Sequence, residues 1–286
     1  MNERIVYLNG RFLPFEEAHI SPDDRGFLFA DGVYEALRHY PRTGLFRVEE
    51  HLRRLDHSLR ELRIEREALA RLPSILVDVI RLNDLHRSDA VVYLQITRGV
   101  APRAHAFPPG STRPTVYVSV QPLEPLRRKW DEGVTATLVV DQRWARCDIK
   151  STSLLANLLL ATEAREAGAA EAILLRDGHL TEGASSSVFV IHDGTVHLPP
   201  YAPALLPGTT RDFVVELLAA AGREVREQAI PRAMLFAAEE IWIASATREV
   251  LPVTRLDGRA VGTGVPGPGW QAVDRLFQEH KRAGAR

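Results

Sequence analysis

Two spacings of apolar residues take turns along the chain. Ile5-Val-Tyr-Leu8 and Arg11-Phe-Leu-Pro-Phe15 flank Asn9-Gly10, a pair that favours a two-residue hairpin turn, so 5–20 reads as a short hairpin. After the turn-rich stretch Ser21-Pro-Asp-Asp-Arg-Gly26, the second half of 27–40 suits a strand. Leucines at 52, 55, 59 and 62 then recur every three or four positions, which predicts an amphipathic helix over 48–64. A second helix is expected over 67–83 and a strand over 90–98.

A loop dense in proline and glycine covers 99–110, and a strand follows over 115–120. Two prolines and a charge cluster make 121–130 the expected linker between an N-terminal domain, 1–120, and a C-terminal domain, 131–286. Beyond it the pattern predicts a strand over 134–140 and a helix over 153–168 with a serine N-cap region and a glycine stop. Strands at 171–175, 187–191 and 195–198 are punctuated by the hairpin pairs Asp177-Gly178 and Asp193-Gly194. A helix from 207 to 222, a short one near 230–235, a strand at 241–244 and a last amphipathic helix over 270–280 complete an α+β pattern.

Composition narrows the classes. A formal net charge of -1 leaves no electrostatic footprint for nucleic acid or an anionic membrane surface. A single cysteine, Cys147, excludes an internal disulfide and a multi-cysteine zinc site. Neither a signal peptide nor a transmembrane-length apolar run is evident, so the cytoplasm is the expected compartment. Only three of the 36 basic residues are lysines, Lys129, Lys150 and Lys281. Lys129 and Lys281 stand in charged surroundings, where solvated ammonium groups are expected.

Lys150 follows Cys-Asp-Ile and precedes a leucine-rich helix, which predicts an amine at a strand end among apolar side chains, with its pKa lowered by burial. A neutral amine is what attack on a carbonyl requires; a snorkelling surface lysine is the alternative. Gly208-Thr209-Thr210 places two hydroxyls and free amides at a helix start, suited to a phosphate or simply to a cap. Ser245 and Thr247, in a turn after a strand, repeat that chemistry, and Arg54 offers a formal charge. Glu182, before Gly-Ala-Ser-Ser-Ser187, either points into a small-residue pocket or is a solvated turn residue. A carboxylate facing a pyridine nitrogen keeps that nitrogen protonated. Arg103 and His105, two apart in a proline-rich loop, form a carboxylate grip or a solvated loop. Gly262-Thr-Gly264-Val-Pro-Gly267 matches a dinucleotide fingerprint in letters only; Pro266, Pro268 and the approaching C-terminus remove the βαβ context it needs.

Taken together, Arg25-Gly-Phe-Leu-Phe-Ala-Asp-Gly-Val-Tyr-Glu35, Gln95 to Pro108, Arg143-Trp-Ala-Arg-Cys-Asp-Ile-Lys150, Thr181-Glu-Gly-Ala-Ser-Ser-Ser187 and Gly208-Thr-Thr-Arg-Asp212 resemble the D-amino acid aminotransferases of the fold type IV pyridoxal phosphate enzymes. The resemblance implies a smaller N-terminal α/β domain and a larger, barrel-like C-terminal one. It also implies pyridoxal 5'-phosphate as cofactor and a homodimer with a shared active site. By position it implies Lys150 as the lysine that carries the cofactor and shuttles the proton, and Glu182 as partner of the pyridine nitrogen. Arg54, Thr209, Thr210, Ser245 and the Ala246 position would hold the phosphate, Leu206 would lie against the ring, and Arg143 near its phenolic oxygen. Tyr34, Arg103 and His105 would grip the substrate carboxylate, the last two from the other subunit. Ala246 stands where the family usually offers threonine, a missing hydroxyl worth roughly 1 kcal/mol. Ala184 replaces a serine. Within the same fold, the alternatives are branched-chain L-amino acid transamination, (R)-selective amine transamination and aminodeoxychorismate lyase activity.

Overall fold

The computed structural model of the chain describes residues 4–110, 112–124 and 131–283. They group into two compact units, one of residues 4–124 with Ile149–Ser153 and the other of 131–148 with 154–283.

The first unit is a six-stranded antiparallel sheet with helices against it. Its elements are β1 (Ile5–Leu8), β2 (Arg11–Pro14), α1 (Arg25–Phe29), β3 (Gly32–Tyr40), β4 (Gly44–Leu45), α2 (Val48–Glu61), α3 (Leu72–Leu82), β5 (Ala90–Thr97) and β6 (Thr115–Pro122). The strand order is β2-β1-β6-β5-β3-β4. Asn9 and Gly10 both take positive φ, the backbone that a tight hairpin requires. On α2 the expected leucine stripe faces inward, with Leu55 and Leu59 fully buried beside Leu72, Leu76 and Val79 of α3 and the apolar face of β3, β5 and β6. The expected second helix begins as a 3-10 segment, Glu67–Arg71, and becomes α-helical at Leu72. α1 is too short to show a periodicity. It forms because the Asp24 carboxylate accepts from the Gly26 N–H at 2.7 Å and also from Thr97 and Thr115. Gly26 lies so close to Thr97 that a Cβ would sit 2.2 Å from its methyl group.

Of the expected linker, 125–130 lies outside the described residues, while Gln121 and Pro122 continue β6. The expected boundary at 131 is also crossed by Ile149–Ser153, which belongs with the first unit because its backbone pairs with β3.

The second unit contains β7 (Val134–Val140), α4 (Leu155–Glu166), β8 (Glu171–Arg176), β9 (His179–Gly183), β10 (Ser187–His192), β11 (Thr195–Leu198), α5 (Thr209–Ala220), β12 (Val225–Glu227), α6 (Arg232–Phe236), β13 (Glu240–Ser245), β14 (Glu249–Leu256), β15 (Arg259–Ala260) and α7 (Pro268–Ala283). Its sheet runs β12-β11-β10-β13-β14-β7-β8-β9, with β15 on β14, and mixes parallel pairs (β7 with β8 and β14, β11 with β12) with antiparallel ones. Leu160 and Ala164 of α4 cover Val139, Ala172 and Leu174. Phe213 and Phe277 meet edge to face at 5.1 Å, which packs α5 on α7. The expected serine cap of α4 is absent: Leu154 is the N-cap, and the Ser153 hydroxyl donates instead to the Ala30 carbonyl. No helix of the described residues is long and apolar enough to cross a membrane.

Candidate active site

In the first unit, Lys150 lies beside β3 rather than at a strand end. Its carbonyl accepts from the Tyr34 N–H at 3.0 Å, Ser151 bridges Val33, and the Thr152 N–H donates to the Gly32 carbonyl at 2.9 Å. The Lys150 N–H donates to Ser58 Oγ at 3.1 Å. Backbone contacts thus fix the segment without using the side chain. The half-buried amine sits 4.2 Å from the centroid of the Tyr34 ring, so an aromatic face forms part of its surroundings. Tyr34 stacks on Tyr93 at 5.8 Å, and Tyr93 donates to Gln95. Burial, with Tyr34 and Tyr117 beside it, pushes the Tyr93 phenol up to about 12.

Behind Tyr34, β3 turns Glu35 to the opposite face, where it is fully buried. Its carboxylate accepts from Arg54 Nε at 2.8 Å and Arg54 Nη2 at 2.7 Å, and lies 2.7 Å from His51 Nδ1. His51 and Arg54 are three apart on α2 and so share one helix face. Burial alone would raise the Glu35 carboxyl, but the Arg54 guanidinium and His51 hold it well below the usual carboxylate range. Burial dominates at His51 and pushes its imidazole below the ordinary value. Arg54, expected at the phosphate, therefore directs two of its nitrogens to Glu35.

The loop carrying Arg103 and His105 is exposed but anchored. Arg25 Nη1 donates to the Ala104 carbonyl at 2.7 Å, the Arg103 guanidinium stands 5.4 Å from the Phe29 ring, and His105 meets that ring edge-on at 5.9 Å. Arg98, paired with Asp31, stacks on Phe107 at 3.7 Å. The first unit also holds a groove of about 560 Å³ between Tyr7, Arg71, Arg113 and Val116, which includes none of the expected site residues.

In the second unit, Arg143 is the hub. Its Nε and Nη2 donate to the two oxygens of Asp141, both at 2.9 Å, its Nη1 donates to Glu182 Oε1, and Nη2 reaches the Ala204 carbonyl at 3.2 Å. Thr181 and Arg176 complete the shell of Asp141. Burial raises the Asp141 carboxyl less than Arg143 and Thr181 lower it, so it stays below its ordinary value. Glu182 is buried within β9, and its second oxygen accepts from the Leu206 N–H at 3.2 Å. Arg143, Glu182 and Leu206 are thus brought together.

Thr209 and Thr210 are buried in the first turn of α5. The N-cap is Gly208, which brings no side chain to the first amides, and a Cβ there would stand 2.6 Å from Ser187 Oγ. Ser187 in turn pairs with Ala244 on β13, so the start of α5 and the end of β13 converge on one serine. Ser245 ends β13, and Ala246 lies in the turn that the Arg248 N–H closes on the Ser245 carbonyl at 3.2 Å. Arg248 donates to the buried Glu171 at 2.6 Å, and Glu171 also accepts from Ser185 and Ser186.

Glu171 and Glu249 carry no sequence signal, because each is distant along the chain from the groups it holds, and Asp141, two residues from Arg143, gains Arg176 and Thr181 only on folding. The expected last helix, α7, opens at Pro268, just beyond Gly262-Thr-Gly264-Val-Pro-Gly267. Its first amides, those of Gly269 and Trp270, donate to the Glu240 carboxylate at 2.8 Å, so the place a pyrophosphate would need is taken.

Residues 32–256 match the family described as amino-transferase class IV. The chain is 41% identical over 274 residues to the D-alanine aminotransferase of Bacillus licheniformis, covering 96% of this chain and 95% of the relative. It is 36% identical to that of Staphylococcus haemolyticus at the same coverage. Among solved structures, the branched-chain amino acid aminotransferase from Escherichia coli superposes with a TM-score of 0.89 at 29% identity, covering 97% of this chain and 94% of that one. The T.th. branched-chain enzyme complexed with N-(5'-phosphopyridoxyl)-L-glutamate gives 0.89 at 26% identity, with 99% and 95% coverage.

Proposed function

The chain belongs to the class IV amino-transferases, and on that footing we propose that it transfers the amino group of D-amino acids, of the D-alanine or D-glutamate kind, to 2-oxo acids such as 2-oxoglutarate. The observation that carries this reading is the near full-length likeness to D-alanine aminotransferases at 36–41% identity, against 26–29% for the branched-chain structures. Likeness of backbone supports the fold of both groups; the higher identity favours the D-amino acid reading.

The residues suit pyridoxal 5'-phosphate. An amine, a carboxylate fixed at both oxygens and a glycine-capped helix start with buried threonines are the donor and acceptor set the group needs. When bound, it supplies an electron sink for the charge left at Cα. Lys150 Nζ would hold the cofactor until the amine of the substrate displaces it, and the freed amine would take the Cα proton and return it on the other side of the transfer. Glu182 would hold the proton of the ring nitrogen, Leu206 would lie against the ring and Arg143 would serve its phenolic oxygen. Arg54, Thr209, Thr210, Ser245 and the backbone at Ala246 hold the phosphate. Tyr34, Arg103 and His105 grip the carboxylate, which sets the enantiomer that offers its Cα–H to Lys150.

With 2-oxoglutarate as acceptor, D-alanine is expected to be turned over in clear preference to L-leucine and (R)-1-phenylethylamine. A preference for L-leucine would favour the branched-chain reading. Arg103→Ala should raise KM for D-alanine about 10- to 100-fold, the worth of a charged hydrogen bond, with kcat little changed. Equal loss with the amine, which has no carboxylate, would remove the role given to Arg103.

A second copy of the chain completes the assembly in this reading. Leu155, Leu158 and Leu159 line one face of α4 and are 72, 61 and 64% exposed, an apolar stripe that a partner would cover. Light scattering should give the mass of two 31.9 kDa chains, and Leu158→Asp should halve it. A monomeric wild type would refute the dimer.

A further inference from the structure

Lys281 is not the solvated ammonium its charged sequence surroundings predict. Its side chain is 15% exposed, and Nζ donates at 2.7 Å to the carboxylate of Glu249, which is itself buried. Gln278, one turn earlier on α7, donates to the other oxygen of the same carboxylate at 2.9 Å. Glu249 opens β14 with φ +57°, a left-handed backbone that side chains with a Cβ avoid and glycine adopts freely. A glutamate kept in that conformation points to its carboxylate as the reason for its presence. Across the hairpin Glu249 pairs with Ser245, and the turn between them is 246–248. Whatever fixes Glu249 therefore fixes the frame in which Ser245 and the turn amides are presented.

We infer that Lys281 and Gln278 of α7 are positioning residues for the cofactor's phosphate, acting through Glu249 on the Ser245–Arg248 turn. The inference rests on the reading of that turn as part of the phosphate site. Ala246 offers no hydroxyl, so the turn must hold an anion by its backbone amides and by Ser245 and Thr247, and amides bind only when their directions are fixed. The Arg248 pair with Glu171 secures the residue before Glu249. The two ion pairs lock the last residue of the turn and the first of β14 from opposite directions in the sequence.

The test compares pyridoxal 5'-phosphate with pyridoxal, which lacks the phosphate, by absorbance titration of the full chain freed of cofactor. Lys281→Met is expected to raise the dissociation constant for pyridoxal 5'-phosphate about tenfold and leave that for pyridoxal within about twofold. Lys281→Arg should retain wild-type binding of both. Glu249→Gly keeps the left-handed backbone and removes the acceptor, so it should show the same selective loss while its circular dichroism stays that of the wild type. Wild-type affinity for pyridoxal 5'-phosphate in either Lys281→Met or Glu249→Gly would overturn the inference, as would equal weakening toward both ligands. If the wild type binds the two ligands equally, it is the phosphate reading of the turn that fails first, and the inference with it.

Discussion

Lys150→Ala is expected to lower turnover of D-alanine by at least about 10³-fold, within the range for loss of a general acid–base group, and to abolish the visible absorption band of the cofactor-loaded protein. The change is selective because the backbone, not the side chain, holds the segment in place. The Lys150 carbonyl and N–H hold the segment to Tyr34 and Ser58, and Ser151 and Thr152 continue the pairing along β3. Alanine keeps all of these. What it removes is the amine over Tyr34, a cation–π contact worth about 0.5–2 kcal/mol. Far-ultraviolet circular dichroism should therefore be unchanged while kcat collapses. Full activity in this variant would remove Lys150 from the chemistry altogether.

Much of the second unit's framework is local and was legible in the sequence. Asp177-Gly178 and Asp193-Gly194 set hairpins by dihedral preference, with Asp and Gly at positive φ in both turns. The α2 stripe was equally legible, since a helix face needs only its own spacing. β14 was not. Pro252 sits inside it and cannot donate to a ladder, yet the strand lies between β13 and β7, with a register shift just beyond the proline. Its neighbours, not its own propensity, make it a strand. The same holds for the site. Lys150, Glu182 and the two threonines stand out by residue type, whereas Glu35 and Glu171 become visible only when folding brings Arg54 and Arg248 onto them, and Asp141, close to Arg143 in sequence, only when Arg176 joins it. Lys281 shows the converse, since a charged sequence context concealed a partner 32 residues away.

The Arg143 hub gives the second large effect its form. Glu182→Gln keeps the volume of the side chain and removes its charge. In the wild type the two oxygens of Glu182 accept from Arg143 Nη1 and the Leu206 N–H. An amide has one oxygen, so whichever way it turns, its NH₂ faces a donor and one buried hydrogen bond is lost, about 1–3 kcal/mol. The larger penalty for orphaning a buried arginine, roughly 3–5 kcal/mol, does not arise, because Asp141 still holds Nε and Nη2. The protein should fold with a modestly lower Tm. Catalysis should suffer far more, since a neutral amide cannot keep a ring nitrogen protonated while charge develops at Cα. A fall in kcat of about 10²- to 10³-fold is expected, comparable to removing one preorganised electrostatic group, with KM for D-alanine near the wild-type value. Glu182→Asp, which restores charge at a shorter reach, should recover part of the loss. If Glu182→Gln turned over D-alanine at the wild-type rate with cofactor fully bound, the carboxylate would be a structural partner of Arg143 and nothing more.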